Sequence, residues 1–165
     1  MVHLRLLAKK ELILIQGIAH QTWPSTFAGL LSEEQIAYML NWMYDLKMLE
    51  SQVEKGHSFL VAEEDGSAVG FAGFELNHLE GPKAKLHKLY LLPSSQGKGV
   101  GKALLLEVAK RAREAGQKSL VLNVNKDNKK AIDFYRALGF VTIRQEVNDI
   151  GSGYVMDDDV MELSL

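Results

Sequence analysis

The sequence predicts a mixed α/β fold, a mostly antiparallel sheet of about seven strands flanked by about four helices. Three observations predict it. The apolar spacing changes from helical to alternating at His57. An Asp65-Gly66 pair lies between two apolar runs, which marks a hairpin. A glycine-rich segment, Gln96 to Lys102, joins an apolar run to a long helical pattern.

Taken in order, Val2 to Leu6 is a short strand. Lys9 to Ala19 carries Leu12, Ile15, Ile18 and Ala19 at helical spacing, and Trp23-Pro24 is expected to end that helix in a loop through Gly29. Ser32 followed by Gln35 reads as a capping box for a helix with Ile36, Met39, Leu40 and Met43 on one side. A further helix from Asp45 to Lys55 stops at Gly56. Ser58 to Ala62 and Val69 to Leu76 form the hairpin about Asp65-Gly66, and Ala84 to Leu92 is a third strand stopped by Pro93. Gly99 to Ala115 is a long helix, Ser119 to Val124 a strand, and Asn128 to Leu138 a helix with Asn at its start and Gly139 past its end. Phe140 to Glu146 and Tyr154 to Leu163 finish as strands.

The length of 165 residues suits one domain over 1–165. Net charge is −2 with scattered cations, so no nucleic-acid footprint is present. The absence of cysteine excludes disulfides, a thiolate nucleophile and thiolate metal sites, and it fits a reducing compartment. The chain turns charged at Lys9-Lys10-Glu11 with no long apolar stretch after it, so neither a secretory signal nor a membrane span is expected and a cytoplasmic location is. The five histidines show no ligand spacing such as H-x-x-x-H, and no metal site is legible.

Glycines at a strand–helix junction let the backbone approach a ligand, and free amides at a helix start attract phosphate. A nucleotide P-loop fails here, because Gln96 falls at its first glycine and Ala103 at its hydroxyl. A dinucleotide fingerprint fails because Lys102 takes its third glycine. The pattern Q/R-x-x-G-x-G/A is met by Gln96, Gly99 and Gly101. With Leu89-Tyr90-Leu91-Leu92-Pro93 before it, and Leu122-Asn123-Val124, Asn128, Ala131, Phe134-Tyr135 and Gly139-Phe140 after it, the chain resembles the GNAT superfamily of N-acetyltransferases. The stretches Thr22 to Phe27, Met39 to Gln52 and Tyr154-Val155-Met156 look similar to the bacterial PaiA type, whose relatives act on polyamines and other small amines.

The resemblance implies a sheet with a splayed parallel pair, acetyl-CoA as co-substrate, and direct attack of an amine on the thioester in a ternary complex. It implies that the pyrophosphate lies over the amides of Gly97, Lys98, Gly99, Val100, Gly101 and Lys102, with Lys98 or Lys102 adding charge. Pantetheine would run beside Leu89, Tyr90 and Leu91, where an amide near a bulge faces the acetyl oxygen; Asn125 and Asn128 would lie at the cofactor edge. Tyr135 matches the family's general acid, although Ala131, Ile132, Tyr135 and Leu138 also make a core stripe. His87 is the candidate base, against the alternative of a surface histidine between Lys85 and Lys88; Asn123 stands where many relatives carry Glu, and a water chain is the other route. Trp23, Phe27, Tyr38 and Trp42 are candidate walls of the acceptor site or ordinary core. Asp157-Asp158-Asp159 reads as a solvated strand edge. The acceptor is expected to be a small amine, polyamine or peptide amine, and a homodimer is among the assemblies implied. The alternative is a catalytically silent acyl-CoA-binding module; a phosphate-binding loop outside the family would require the downstream block to be coincidence.

Overall fold

The computed structural model describes residues 1–78 and 81–165. Its strands are β1 (Val2–Leu6), β2 (His57–Glu64), β3 (Ser67–Glu75), β4 (Lys83–Leu91), β5 (Ser119–Asn125), β6 (Val141–Gly151) and β7 (Tyr154–Ser164). They form one sheet in the order β1-β2-β3-β4-β5-β7-β6. Every pairing is antiparallel except β4 with β5. The helices are α1 (Leu12–Thr26), α2 (Glu33–Met43), α3 (Leu46–Glu54), α4 (Val100–Glu114) and α5 (Lys129–Ala137), one for each of the five helical segments read in order and one more than the rounded figure of about four.

Strand alternation divides the core between the two faces of the sheet. On one face Ile15, Trp23, Met39, Tyr44 and Leu49 of α1–α3 and the segment after α2 pack with Phe59 and Phe71. On the other, Leu104, Leu105 and Val108 of α4 and Ile132 of α5 pack on Leu60, Ala72, Leu86 and Leu122. Asp65 and Gly66 both have positive φ, 50° and 80°, as the tight hairpin requires.

Two expectations about chain breaks are corrected. Helix α1 does not stop at Trp23-Pro24 but runs to Thr26, with Pro24 exposed inside its last turns. A proline in a helix costs about 3 kcal/mol. Seating Trp23 and Phe27, which are 1% and 6% exposed, offsets it at about 1.5–3 kcal/mol each. Strand β6 likewise continues past Glu146 to Gly151, because β7 pairs with it along its length.

The β6–β7 hairpin also overturns the reading of Asp157-Asp158-Asp159 as a solvated edge. β7 lies between β5 and β6, and Asp158 and Asp159 are buried at 3% and 8% exposure. Sequence distance hides this arrangement, because the last strand inserts between two earlier ones. Ser32 Oγ accepts from the Gln35 amide at 3.1 Å, but the reciprocal half of the capping box does not form. The Gln35 side chain donates to the Val155 carbonyl instead, at 3.0 Å.

Candidate active site

The parallel pairing of β4 with β5 ends at Leu86 opposite Leu122, although the strands continue to Leu91 and Asn125. The cause is visible in the other neighbour of β4. Phe74 pairs with Leu86 and Gly73 with Lys88, so His87 is an extra residue, a bulge that bends β4. Beyond it the two strands part, leaving a slot whose β4 edge is Lys88 to Leu91. Leu89 and Leu91 pack toward α4, while Tyr90 packs toward α1, with its ring 5.5 Å from Trp23 and 6.0 Å from Phe71.

The glycine segment closes one end of this slot. Gly97 and Gly99 have φ of 76° and 82°, and Gly99 is the N-cap of α4. The first helical bond is from the Ala103 amide to the Gly99 carbonyl. The amides of Gly97, Lys98, Gly99 and Val100 donate to no backbone carbonyl among the described residues, and Gly101 and Lys102 precede that first bond. Successive amides turned one way, at a helix N-terminus, make a concavity for phosphate oxygens. Gln96 donates to the Leu91 carbonyl at 3.4 Å, and Lys130 Nζ lies 3.5 Å from its Oε1. A Cβ on Gly70 would strike the Leu91 side chain and one on Gly101 would lie 3.4 Å from it, so both glycines let the end of β4 sit close to α4.

Helix α5 borders the slot from the same side. Asn128 caps it by accepting from the Ala131 amide at 3.2 Å, and Asn125 accepts from the Asp127 amide at 2.9 Å. Both side-chain carbonyls are thus committed to local backbone, which leaves their NH2 groups for other partners. Tyr135 packs by its ring on Phe134 and Phe140, 5.3 and 5.6 Å away. Burial pushes its phenol well above the ordinary tyrosine range, so it holds its proton at neutral pH.

On the face of the sheet opposite α4, a groove of about 320 Å³ lies over the paired stretch of β4 and β5 and reaches the slot at Asn123, lined in part by His78, Lys85, Asn123, Arg144, Glu146 and Val160. Asp158 lies on the same face as Val160, two residues apart on β7. The Asn123 amide donates to Glu146 at 3.2 Å and to Asp158 Oδ2 at 3.4 Å, while Asp158 Oδ1 is buried without a partner among the described residues. Burial raises the Asp158 pKa, and the nearby Asp157 and Glu146 charges add to that. Burial lowers the Lys85 pKa on the neighbouring wall.

His87 points toward Glu75, and its Nε2 lies 2.9 Å from Glu75 Oε1. Burial pushes its pKa down to about 3, offset in part by that hydrogen bond. Its neighbour Lys88 is also buried, donating to Gln52 at 3.0 Å between the rings of Tyr44 and Phe59, and is pushed down to about 8. Of the expected aromatic walls, Trp23 and Phe27 are core. Tyr38 instead donates to the Ile150 carbonyl at 2.7 Å, stacks on Trp42 and tethers α2 to the β6–β7 hairpin. Sequence reasoning missed Glu146 as a wall of the groove and Asp158 beside it. Asn123, noted there for its place in the strand and as a departure, is the residue that links the two.

A slot between parting parallel strands, closed by an amide-lined glycine turn, is the geometry expected for a cofactor that carries a pyrophosphate and an extended arm. A model of the acetyltransferase (GNAT) family matches residues 16–140, and the chain belongs to that family. It is 32% identical over 161 residues to a spermidine N(1)-acetyltransferase of Thermoplasma acidophilum, covering 94% of this chain and 96% of the relative. It is 31% identical over 120 residues to the L-amino acid N-acyltransferase MnaT of Escherichia coli, covering 70% and 69%. The solved PaiA N-acetyltransferase of Thermoplasma acidophilum, in complex with coenzyme A, superposes with a TM-score of 0.83 at 29% identity over 100% of this chain and 99% of that one. The protein is an N-acetyltransferase with acetyl-CoA as its co-substrate, and the transfer needs no metal. No helix among the described residues is long and apolar enough to cross a membrane.

Proposed function

We propose that the acceptor is a small polycationic amine of the polyamine class, seated with its reacting nitrogen beside Asp158. The observation that carries this reading is the Asp158 carboxylate, nearly buried on the groove face with Oδ1 unpartnered. An isolated buried carboxylate is costly, and an ammonium group of a ligand would supply the missing charge and donors. Glu146, tied to the same Asn123 amide, extends the anionic wall. The full-length similarity to a spermidine N(1)-acetyltransferase supports the same class.

In this reading the cofactor phosphates rest on the Gly97–Lys102 amides, and Leu89, Tyr90 and Leu91 bond the pantetheine arm by backbone. Lys98 or Lys102 adds charge, and Asn125 and Asn128 offer their free NH2 groups at the cofactor edge. An amide beside the His87 bulge faces the acetyl oxygen and stabilises the developing oxyanion. The acceptor ammonium loses a proton to Asp158 or to water beside it. The free nitrogen lone pair then bonds to the thioester carbon, the carbon–sulfur bond breaks, and the sulfur takes the Tyr135 phenolic proton, while the nitrogen gives up its second proton, which returns through water to the phenolate. His87 serves the site through the bend it makes in β4. Its Nε2 is engaged with Glu75 Oε1 at 2.9 Å, which leaves the ammonium proton to Asp158 or water.

Lys85 on the same wall favours a second acceptor class, amines that also carry a carboxylate. The test is kcat/KM over spermidine, a monoamine and an L-amino acid, for the wild type and Asp158→Asn. Spermidine should be preferred, with KM rising about 10-fold or more in the variant as a charge-assisted contact is lost. Preference for the amino acid, or unchanged spermidine kinetics in the variant, would overturn the reading.

A further inference from the structure

Three adjacent strands each send one side chain to a single point below the bulge. His57 opens β2 and Glu75 closes β3, and the two are directly paired across the strands. The extra residue in β4 turns His87 to the same face. His57 Nε2 and His87 Nε2 lie 3.7 and 2.9 Å from Glu75 Oε1, and all three ligand atoms lie within 4.8 Å of one another. His78 Nδ1 reaches the same oxygen, at 2.7 Å. The rings of His57 and His87 stack with centroids 4.3 Å apart at 15°, so one ring must rotate before both nitrogen lone pairs converge on one ion.

Hydrogen bonding by itself explains this cluster poorly. One carboxylate oxygen faces three imidazoles, and His57 lies beyond hydrogen-bond distance of it. His57 Nδ1 is buried without a partner among the described residues. Neutral imidazoles and a carboxylate are the donor set that zinc takes, and a tetrahedral ion with bonds of ~2.0–2.1 Å holds its ligand atoms ~3.3 Å apart. The two separations from Glu75, 2.9 and 3.7 Å, bracket that spacing.

We propose that His57, Glu75 and His87 form a binding site for zinc, with His78 placed to act as a further ligand. The ion takes no part in the acetyl transfer step, and the proposal does not rest on the acceptor assigned above. A bound ion ties the ends of β2, β3 and β4 together beneath the bulge that opens the cofactor slot. Lys85 and Lys88 are the cations nearest His87. Lys88 donates to Gln52 and makes no ion pair with Glu75 among the described residues.

The experiment is zinc titration of the tag-free full chain, by calorimetry and thermal melting, with cobalt substitution as a spectroscopic check. One zinc per chain is expected, with Tm rising by about 5–10 °C at a 100-fold excess over Kd. Cobalt should produce the visible absorption of a low-coordinate nitrogen–oxygen site. A His57→Gln, His87→Gln variant should lose both signals, and a His3→Gln, His20→Gln variant, altered far from the cluster in sequence, should keep them. Circular dichroism verifies that each variant is folded, and Glu75→Gln provides a second, nearly isosteric disruption. Absence of stoichiometric binding by the wild type would overturn the proposal, and so would retention of the signals in the cluster variants.

Discussion

Replacing Gly99 by alanine separates the backbone's role in folding from its role in holding the cofactor. Gly99 has φ of +82°, and a Cβ there meets nothing within 4 Å. The cost to the folded chain is therefore conformational, about 1–2 kcal/mol for an L-residue in the left-handed region. At this size that lowers Tm by about 2–8 °C. Gly116, past the other end of α4, provides a matched control with φ of +79° and the same open surroundings. Gly116→Ala should lose about as much thermal stability. Only Gly99→Ala should also lose acetyl-CoA affinity, because relaxing that residue turns an amide away from the phosphates. A charged-acceptor hydrogen bond is worth about 1.5–3 kcal/mol, so the loss is about 10- to 150-fold in Kd. Calorimetric titration of both variants reads this directly. Wild-type affinity in Gly99→Ala, alongside the expected fall in Tm, would refute the assignment of this turn to the phosphates.

Tyr135→Phe should lower kcat by about 10²-fold or more while leaving the Kd for acetyl-CoA near the wild-type value, since the ring contacts with Phe134 and Phe140 persist; unchanged turnover would remove the phenol from the mechanism. The raised pKa of Asp158 makes a pH-dependent prediction for stability. A carboxyl whose folded pKa lies above its unfolded value contributes stability fully below the unfolded value of ~3.9, and that contribution is lost as pH rises through the folded value. Asp158→Asn should thus melt higher than the wild type at neutral pH, the gap closing as pH falls toward 4; a gap independent of pH would contradict the burial argument.

The sequence determined by itself the parts of this protein that depend on local chemistry. Asp65-Gly66 specified a hairpin because both residues tolerate positive φ, and Asn128 with Gly139 bounded α5. The spacing of Gln96, Gly99 and Gly101 ruled out the two nucleotide loops that share its glycines and carried the resemblance to the acetyltransferases. What distant elements contribute was decided only by the tertiary structure. Pro24 stays helical because Trp23 and Phe27 find a core supplied by α2, β3 and β4, which no local rule contains. Asp158 changes from an apparent surface charge to a buried carboxylate because β7 inserts between β5 and β6. His57, Glu75 and His87 have no ligand spacing along the chain, and they meet because antiparallel pairing and a single bulge bring three strands into register. Capping and turn preferences act over a few residues and can be read in order, whereas burial and the charge around a group are set by strands far apart in sequence.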